Sequence, residues 1–166
     1  MSTDIKTELF ANTREKLKEQ GFTVVDKDSE RPWGGFFVID ESQAAEFIGH
    51  YFDDVSMGDV NISGKLSPKI LLVQPNKRLS WQYHHRRAEM WQVVEGPVGV
   101  IRSHTDEQGE VQTYEAGDLI TLEQGERHRL VGLDNWGIIA EIWQHVDSDN
   151  PSDEEDIVRL QDDFGR

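Results

Sequence analysis

The run Ser80-Trp81-Gln82-Tyr83-His84-His85-Arg86-Arg87-Ala88-Glu89-Met90-Trp91, followed by Gly96 and later by His128, decides how this chain folds. Gln82 and His84 are two residues apart, so on a β-strand both side chains leave the same face. Glu89 belongs to the next strand-like run, and His128 falls near another. If these strands converge inside a small barrel, two imidazoles, one carboxylate and one amide oxygen meet, a donor set suited to a divalent metal. Arg86 and Arg87 sit in the same run, and cations beside a metal point to an oxygen-rich, anionic small molecule.

Outward from this stretch the same texture continues. From Lys69 onward, short β-type runs occupy 69–74, 79–84, 89–94, 97–102, 110–114, 118–122, 127–131 and 136–144. Turn chemistry separates them: Pro75-Asn76, Glu95-Gly96, Asp106 to Gly109, Ala116-Gly117-Asp118, Gln124-Gly125 and Leu133-Asp134-Asn135. Many short strands at this spacing predict an antiparallel sandwich or jelly roll. Upstream, residues 3–20 read as a surface helix, with Thr3 or Asp4 near its N-cap and Gly21 as its stop. Strands are expected at 22–25 and 35–39. A second helix at 42–52 carries an apolar stripe of Ala44, Ala45, Phe47, Ile48 and Tyr51. Residues 53–64 read as a turn-rich connector. The acidic tail regains apolar character at Ile157-Val158, and Phe164 suggests that it docks.

The chain has 166 residues, enough for one domain with a substantial core. Its 17 Lys and Arg against 32 Asp and Glu give a net charge of −15. That balance excludes nucleic acid or an anionic membrane as the main partner, because both need a basic footprint. A small anion stays compatible, since a few inward-facing arginines outweigh a distant acidic surface. With no cysteine there is neither a disulfide framework nor a thiolate metal site. The start MSTDIKTELF is too polar for a secretory signal and no apolar run reaches a membrane span, so a cytoplasmic protein is expected.

The motifs resemble those of the cupin superfamily. Gln82 and His84 fill the two-apart ligand positions, four residues separate His84 from Glu89, and six separate Glu89 from Gly96. A second motif runs from Gly117 to Gly125-Glu126-Arg127-His128. The sequence departs from the general pattern at Glu123, where proline is usual, and at Gly132, where asparagine is usual. Within the superfamily, SWQYHHRRAEMW, Arg31-Pro32-Trp33-Gly34 and the closing EEDIVRLQDDFGR are similar to type II mannose-6-phosphate isomerases. These are the isomerase part of bifunctional mannose-1-phosphate guanylyltransferase/mannose-6-phosphate isomerases. Most cupins carry histidine where Gln82 stands, whereas phosphomannose isomerases use glutamine. Arg86 replaces that family's usual third histidine. Nothing here resembles the glycine-rich nucleotidyltransferase segment, so guanylyltransferase activity is not expected.

The resemblance implies a mainly β, single-domain cupin jelly-roll barrel with N-terminal helices and a short C-terminal docking segment. Residues 1–64 would form an extension packed on a barrel of residues 65–166. It implies an isomerase that interconverts mannose 6-phosphate and fructose 6-phosphate through a cis-enediol. Gln82, His84, Glu89 and His128 would bind a divalent metal, with zinc expected first and Mn, Co or Fe compatible with the same ligands. Arg87, two before Glu89, and Arg159 in the tail are the candidate catalytic and substrate-binding residues. Lys69, Arg129 and Trp33 are further substrate contacts. The general base stays open among His85, Glu126, a metal-bound hydroxide and an arginine. The alternatives are an isomerase of another sugar or sugar phosphate such as a phosphoheptose, an iron-dependent dioxygenase, and a non-catalytic sugar-binding cupin. The arginines would then be structural ion pairs to an acidic chain. Cupins pair barrels edge to edge to protect exposed strands, which makes a homodimer compatible with this reading, and nothing in the sequence fixes it.

Overall fold

A computed structural model describes residues 5–52, 65–147 and 149–163. The N-cap expected at Thr3 or Asp4, the connector at 53–64 and Phe164 lie outside the described residues. Helix α1 (Ile5–Glu19) leads into β1 (Val24–Arg31) and β2 (Gly34–Ile39), and a 3-10 turn (Glu41–Gln43) opens α2 (Ala44–Tyr51). Nine strands follow: β3 (Lys69–Val73), β4 (Trp81–Tyr83), β5 (Arg87–Glu95), β6 (Val98–Ser103), β7 (Gln112–Tyr114), β8 (Leu119–Leu122), β9 (Arg127–Val131), β10 (Gly137–His145) and β11 (Val158–Gln161). They form two antiparallel sheets in the orders β1-β2-β3-β10-β5-β8 and β11-β4-β9-β6-β7. The protein is mainly β, and its jelly roll consists of these two facing ladders.

Alternation along the strands places the core. On β3, Leu71 and Val73 join Trp91 and Val93 of β5, Ile139 of β10 and Leu130 of β9 in a cluster between the sheets. Ile70 and Leu72 point the other way and join Ile138, Ala140 and Ile142 of β10 beneath the helices. Phe10 and Leu17 of α1 and Phe47 and Ile48 of α2 cover that outer face. The central strands are therefore buried on both sides, which is why KILLV and GIIAEIWQH read as continuous apolar runs rather than alternating ones.

Within residues 1–64, α1 and α2 lie on the sheet, whereas β1 and β2 belong to it. β2 pairs with β3 from Gly34↔Val73 to Val38↔Lys69. The Arg31-Pro32-Trp33-Gly34 motif is the tight turn of the β1–β2 hairpin, with Arg31 opposite Gly34. Gly34 has φ 144°, and a Cβ there would lie 1.9 Å from the Leu72 carbonyl oxygen, so only glycine allows this approach. The turn buries Trp33 between the sheets. β11 was readable only as a docking tail. It pairs with β4, placing Arg159 opposite Gln82, and so completes one edge of the smaller sheet. Among the described residues no helix is long and apolar enough to cross a membrane.

Candidate metal centre and the cavity above it

Three of the four expected ligands meet. β5 begins at Arg87, so Arg87, Glu89 and Trp91 share its inward face. His84 is delivered by the β4–β5 connection, and His128 by β9, where it lies opposite Gln82. One ligand atom from each of His84, Glu89 and His128 lies within 4.8 Å of the others, and all three residues are buried. His84 Nε2 is 3.3 Å from Glu89 Oε2, and His128 Nε2 is 3.7 Å from Glu89 Oε1.

The far side of each ring shows what the near side offers. His84 Nδ1 lies 2.6 Å from the Asp156 carbonyl oxygen and His128 Nδ1 lies 3.0 Å from that of Glu126. A carbonyl only accepts, so each Nδ1 carries the proton and each Nε2 presents a lone pair. Burial lowers His84 to about 4 and lowers His128 as well, which keeps both rings neutral at neutral pH. Burial alone would raise the Glu89 carboxyl, but the Arg87 guanidinium, which donates to it, helps hold it below the ordinary carboxylate range. Two lone pairs thus face a carboxylate, and among the described residues His128 Nε2 is buried with no hydrogen-bond partner. Glu89 receives Arg87 Nε and Trp91 Nε1, and Arg87 Nη2 lies 3.4 Å from His84 Nε2, so donors sit at the rim of the group. Two imidazole nitrogens and a carboxylate are a donor set that fits a divalent metal. Gln82 lines the same cavity.

That cavity, about 170 Å³, suits a small metabolite and opens between the sheets. The expected contacts Trp33, Lys69, Arg87 and Arg159 line it, together with Arg31 of the Arg31-Pro32-Trp33-Gly34 motif. Arg87 is largely committed to the protein. Its Nε donates to Glu89 Oε2 at 2.9 Å, Nη1 donates to Ser152 Oγ and the Asp153 carbonyl at 3.0 Å, and the guanidinium stacks 3.9 Å above Trp143. It locks the carboxylate to the tail. Lys69 Nζ lies 3.4 Å from Glu154 Oε1. Among the described residues Trp33 Nε1 is buried without a hydrogen-bond partner.

Arg129 is placed elsewhere. On β9 it alternates with His128 and Leu130, so its fully buried side chain points to the opposite face of the sheet. There Nε donates to the Leu79 carbonyl at 2.7 Å and Nη1 to Gln161 Oε1 at 3.2 Å, tying β9 to β11. Arg129→Ala should cost about 1–3 kcal/mol in a denaturant titration, the range for a buried carbonyl losing its donor. The affinity for a ligand in the cavity should stay unchanged. A weakened affinity at unchanged stability would contradict this placement.

Two of the possible bases also fall outside the cavity. His85 is exposed and edge-on to Tyr83 at 5.2 Å. Glu126 receives Arg102 Nε at 2.7 Å and Nη2 at 3.1 Å. The cavity contains instead a carboxyl that sequence reasoning missed, Glu141 of β10. Burial, and then the charge of Glu89, push its carboxyl well above the usual range. The available signal was a single carboxylate inside the apolar strand GIIAEIWQH, since a buried polar group is the informative exception.

The family described as mannose-6-phosphate isomerase C-terminal matches residues 51–162, well over half of the chain. The chain belongs to that family. It is 33% identical over 136 residues to alginate biosynthesis protein AlgA of Pseudomonas aeruginosa, covering 82% of this chain and 22% of AlgA. It is 29% identical over 154 residues to mannose-1-phosphate guanylyltransferase ManC of Salmonella typhimurium, covering 92% of this chain and 26% of ManC. The chain thus spans about a quarter of the length of these relatives. Among solved structures, the capsular polysaccharide assembling protein CapF of Staphylococcus aureus superposes with a TM-score of 0.51 at 14% identity, covering 84% of this chain and 34% of CapF. KdgF from Halomonas also gives 0.51 at 14% identity, over 75% of this chain and 89% of that one. These likenesses show the cupin fold.

Proposed function

We propose that this member of the family is a metal-dependent aldose–ketose isomerase that interconverts mannose 6-phosphate and fructose 6-phosphate. The observation that carries the reading is the buried acceptor group His84–Glu89–His128 at the base of a cavity lined by Gln82 and four cationic side chains. Gln82, His84, Glu89 and His128 would hold the metal, with zinc expected first for this nitrogen and oxygen set. When bound, the metal would supply Lewis-acid polarisation of the oxygens at C1 and C2. The remaining roles belong to the chain. Arg31, Lys69 and Arg159 would take the phosphate, where a guanidinium offers two parallel hydrogen bonds. Trp33 Nε1 would donate to a sugar oxygen. Arg87 holds Glu89 and keeps its charge in place.

The test is conversion of mannose 6-phosphate, followed by coupled detection of fructose 6-phosphate, before and after chelation and with Zn, Mn or Co restored. Chelation should remove at least about 99% of turnover and metal should restore it, as expected when the Lewis acid itself is withdrawn. A folded, metal-loaded protein inactive on this substrate would overturn the reading.

His84, Glu89 and His128 alone also form the two-histidine, one-carboxylate set of non-haem iron oxygenases. Oxygen uptake with Fe(II), without isomerisation, would favour that second reading. Thermal stabilisation by sugar phosphate without any turnover would indicate a binding module.

A further inference from the structure

Glu141 stands at the middle of β10, on the inward face between Ile139 and Trp143. It lies opposite Trp91 of β5 and Lys69 of β3. Its side chain is buried and lines the cavity beside Glu89, His84 and Arg87. Among the described residues it has no ion-pair partner within 4.0 Å, and its carboxyl receives one side-chain hydrogen bond, from Trp91 Nε1 at 3.0 Å. The same indole N–H lies 3.2 Å from Glu89 Oε1, so one rigid ring fixes both carboxyl groups.

The two carboxyls are used differently. Glu89 faces both imidazoles and the Arg87 guanidinium. Glu141 keeps most of its acceptor positions unspent and turned to the cavity, an expensive arrangement for a group with only a packing role. A carboxyl held rigidly on the cavity wall, beside the cation site but outside it, can reach a substrate carbon.

We propose that Glu141 transfers the substrate proton between C2 and C1, an assignment that rests on the isomerase reading. In its ionised form the carboxyl removes the proton from C2 of the open-chain aldose, the C–H electron pair becomes the C1=C2 bond, and the C1=O1 π pair moves to O1 to give an enediolate. The carboxyl, whose proton exchanges with solvent in the lifetime of the enediolate, then delivers a proton to C1 while the hydroxyl proton passes from O2 to O1 and C2=O2 forms. Atoms and charge balance, and no oxidant or co-reactant is needed.

The experiment uses the full chain loaded with zinc, with metal content, kcat and KM for mannose 6-phosphate measured in each variant. Deuterium entry at C1 of fructose 6-phosphate is followed in D2O. Glu141→Gln should retain zinc and change KM less than about threefold, while kcat falls about 10²–10⁴-fold, the usual contribution of a positioned acid–base group. Deuterium entry should fall with it. Glu141→Asp keeps the charge with a shorter reach and should lose kcat partially at unchanged KM, which covers the case of a Gln variant that does not fold. Parent-like kcat in either variant, a loss confined to KM, or a loss of zinc would overturn the assignment while leaving the isomerase reading intact. A zinc-loaded parent that neither isomerises nor exchanges the proton would overturn both.

Discussion

If the proposed function holds, His128→Ala should lose metal binding and isomerisation together. The substitution removes a buried Nε2 that has no hydrogen-bond partner among the described residues and lies 3.7 Å from Glu89 Oε1. Losing a direct ligand should exceed the 10–100-fold effect typical of a group that merely orients one, so affinity should fall by more than about 100-fold. Thermal unfolding gives a second readout. Metal at about 100 times its dissociation constant should stabilise the parent by about 2.7 kcal/mol, and this increment should vanish in His128→Ala. The metal-free variant should unfold below the metal-free parent by about 1–2 kcal/mol, because the buried ring gives up one backbone hydrogen bond and its contacts with His84 and Trp91. Retained stoichiometric metal in His128→Ala would exclude this site as the metal centre.

Asp156→Ala should weaken both the fold and the metal centre, although Asp156 is no ligand. Its buried carboxylate accepts the backbone N–H of His85 at 2.8 Å and of Arg86 at 2.9 Å, and Ser152 Oγ–H at 2.6 Å. Its own carbonyl accepts His84 Nδ1–H. Arg86 adds a salt bridge to Asp153 that fastens the tail. Charged hydrogen bonds of this kind contribute about 1.5–3 kcal/mol each, and they are not additive. A loss of about 2–4 kcal/mol is expected, read as a lower denaturant midpoint at unchanged slope. Loosening the tail also frees the His84 ring, so metal affinity should drop about 10–100-fold. Parental metal affinity in a destabilised Asp156→Ala would mean that the tail anchors the fold without orienting His84.

Much of the centre was legible because its determinants are local. The Gln82–His84 spacing, the alternation of Arg87 with Glu89 and the turn residues between runs state which side chains share a face. The helices were legible from their apolar stripes. Other features were not. Arg129 was indistinguishable from an inward arginine until the phase of β9 was set by His128 and Leu130. Glu141 sits in a strand buried on both faces, where apolar residues on each side erase the alternation that would mark its direction. β11 is short and exposed and pairs with β4, which lies some seventy-five residues earlier in the chain, so no local pattern announces it.

The sequence by itself determined a mainly β cupin and three candidate metal donors that meet, His84, Glu89 and His128, since strand period and donor chemistry are properties of neighbouring residues. Only the tertiary structure decided which cations and which second carboxyl share the cavity. That choice depends on how the sheets face each other and on where the tail returns, and both are set by long-range pairing and burial rather than by any local run.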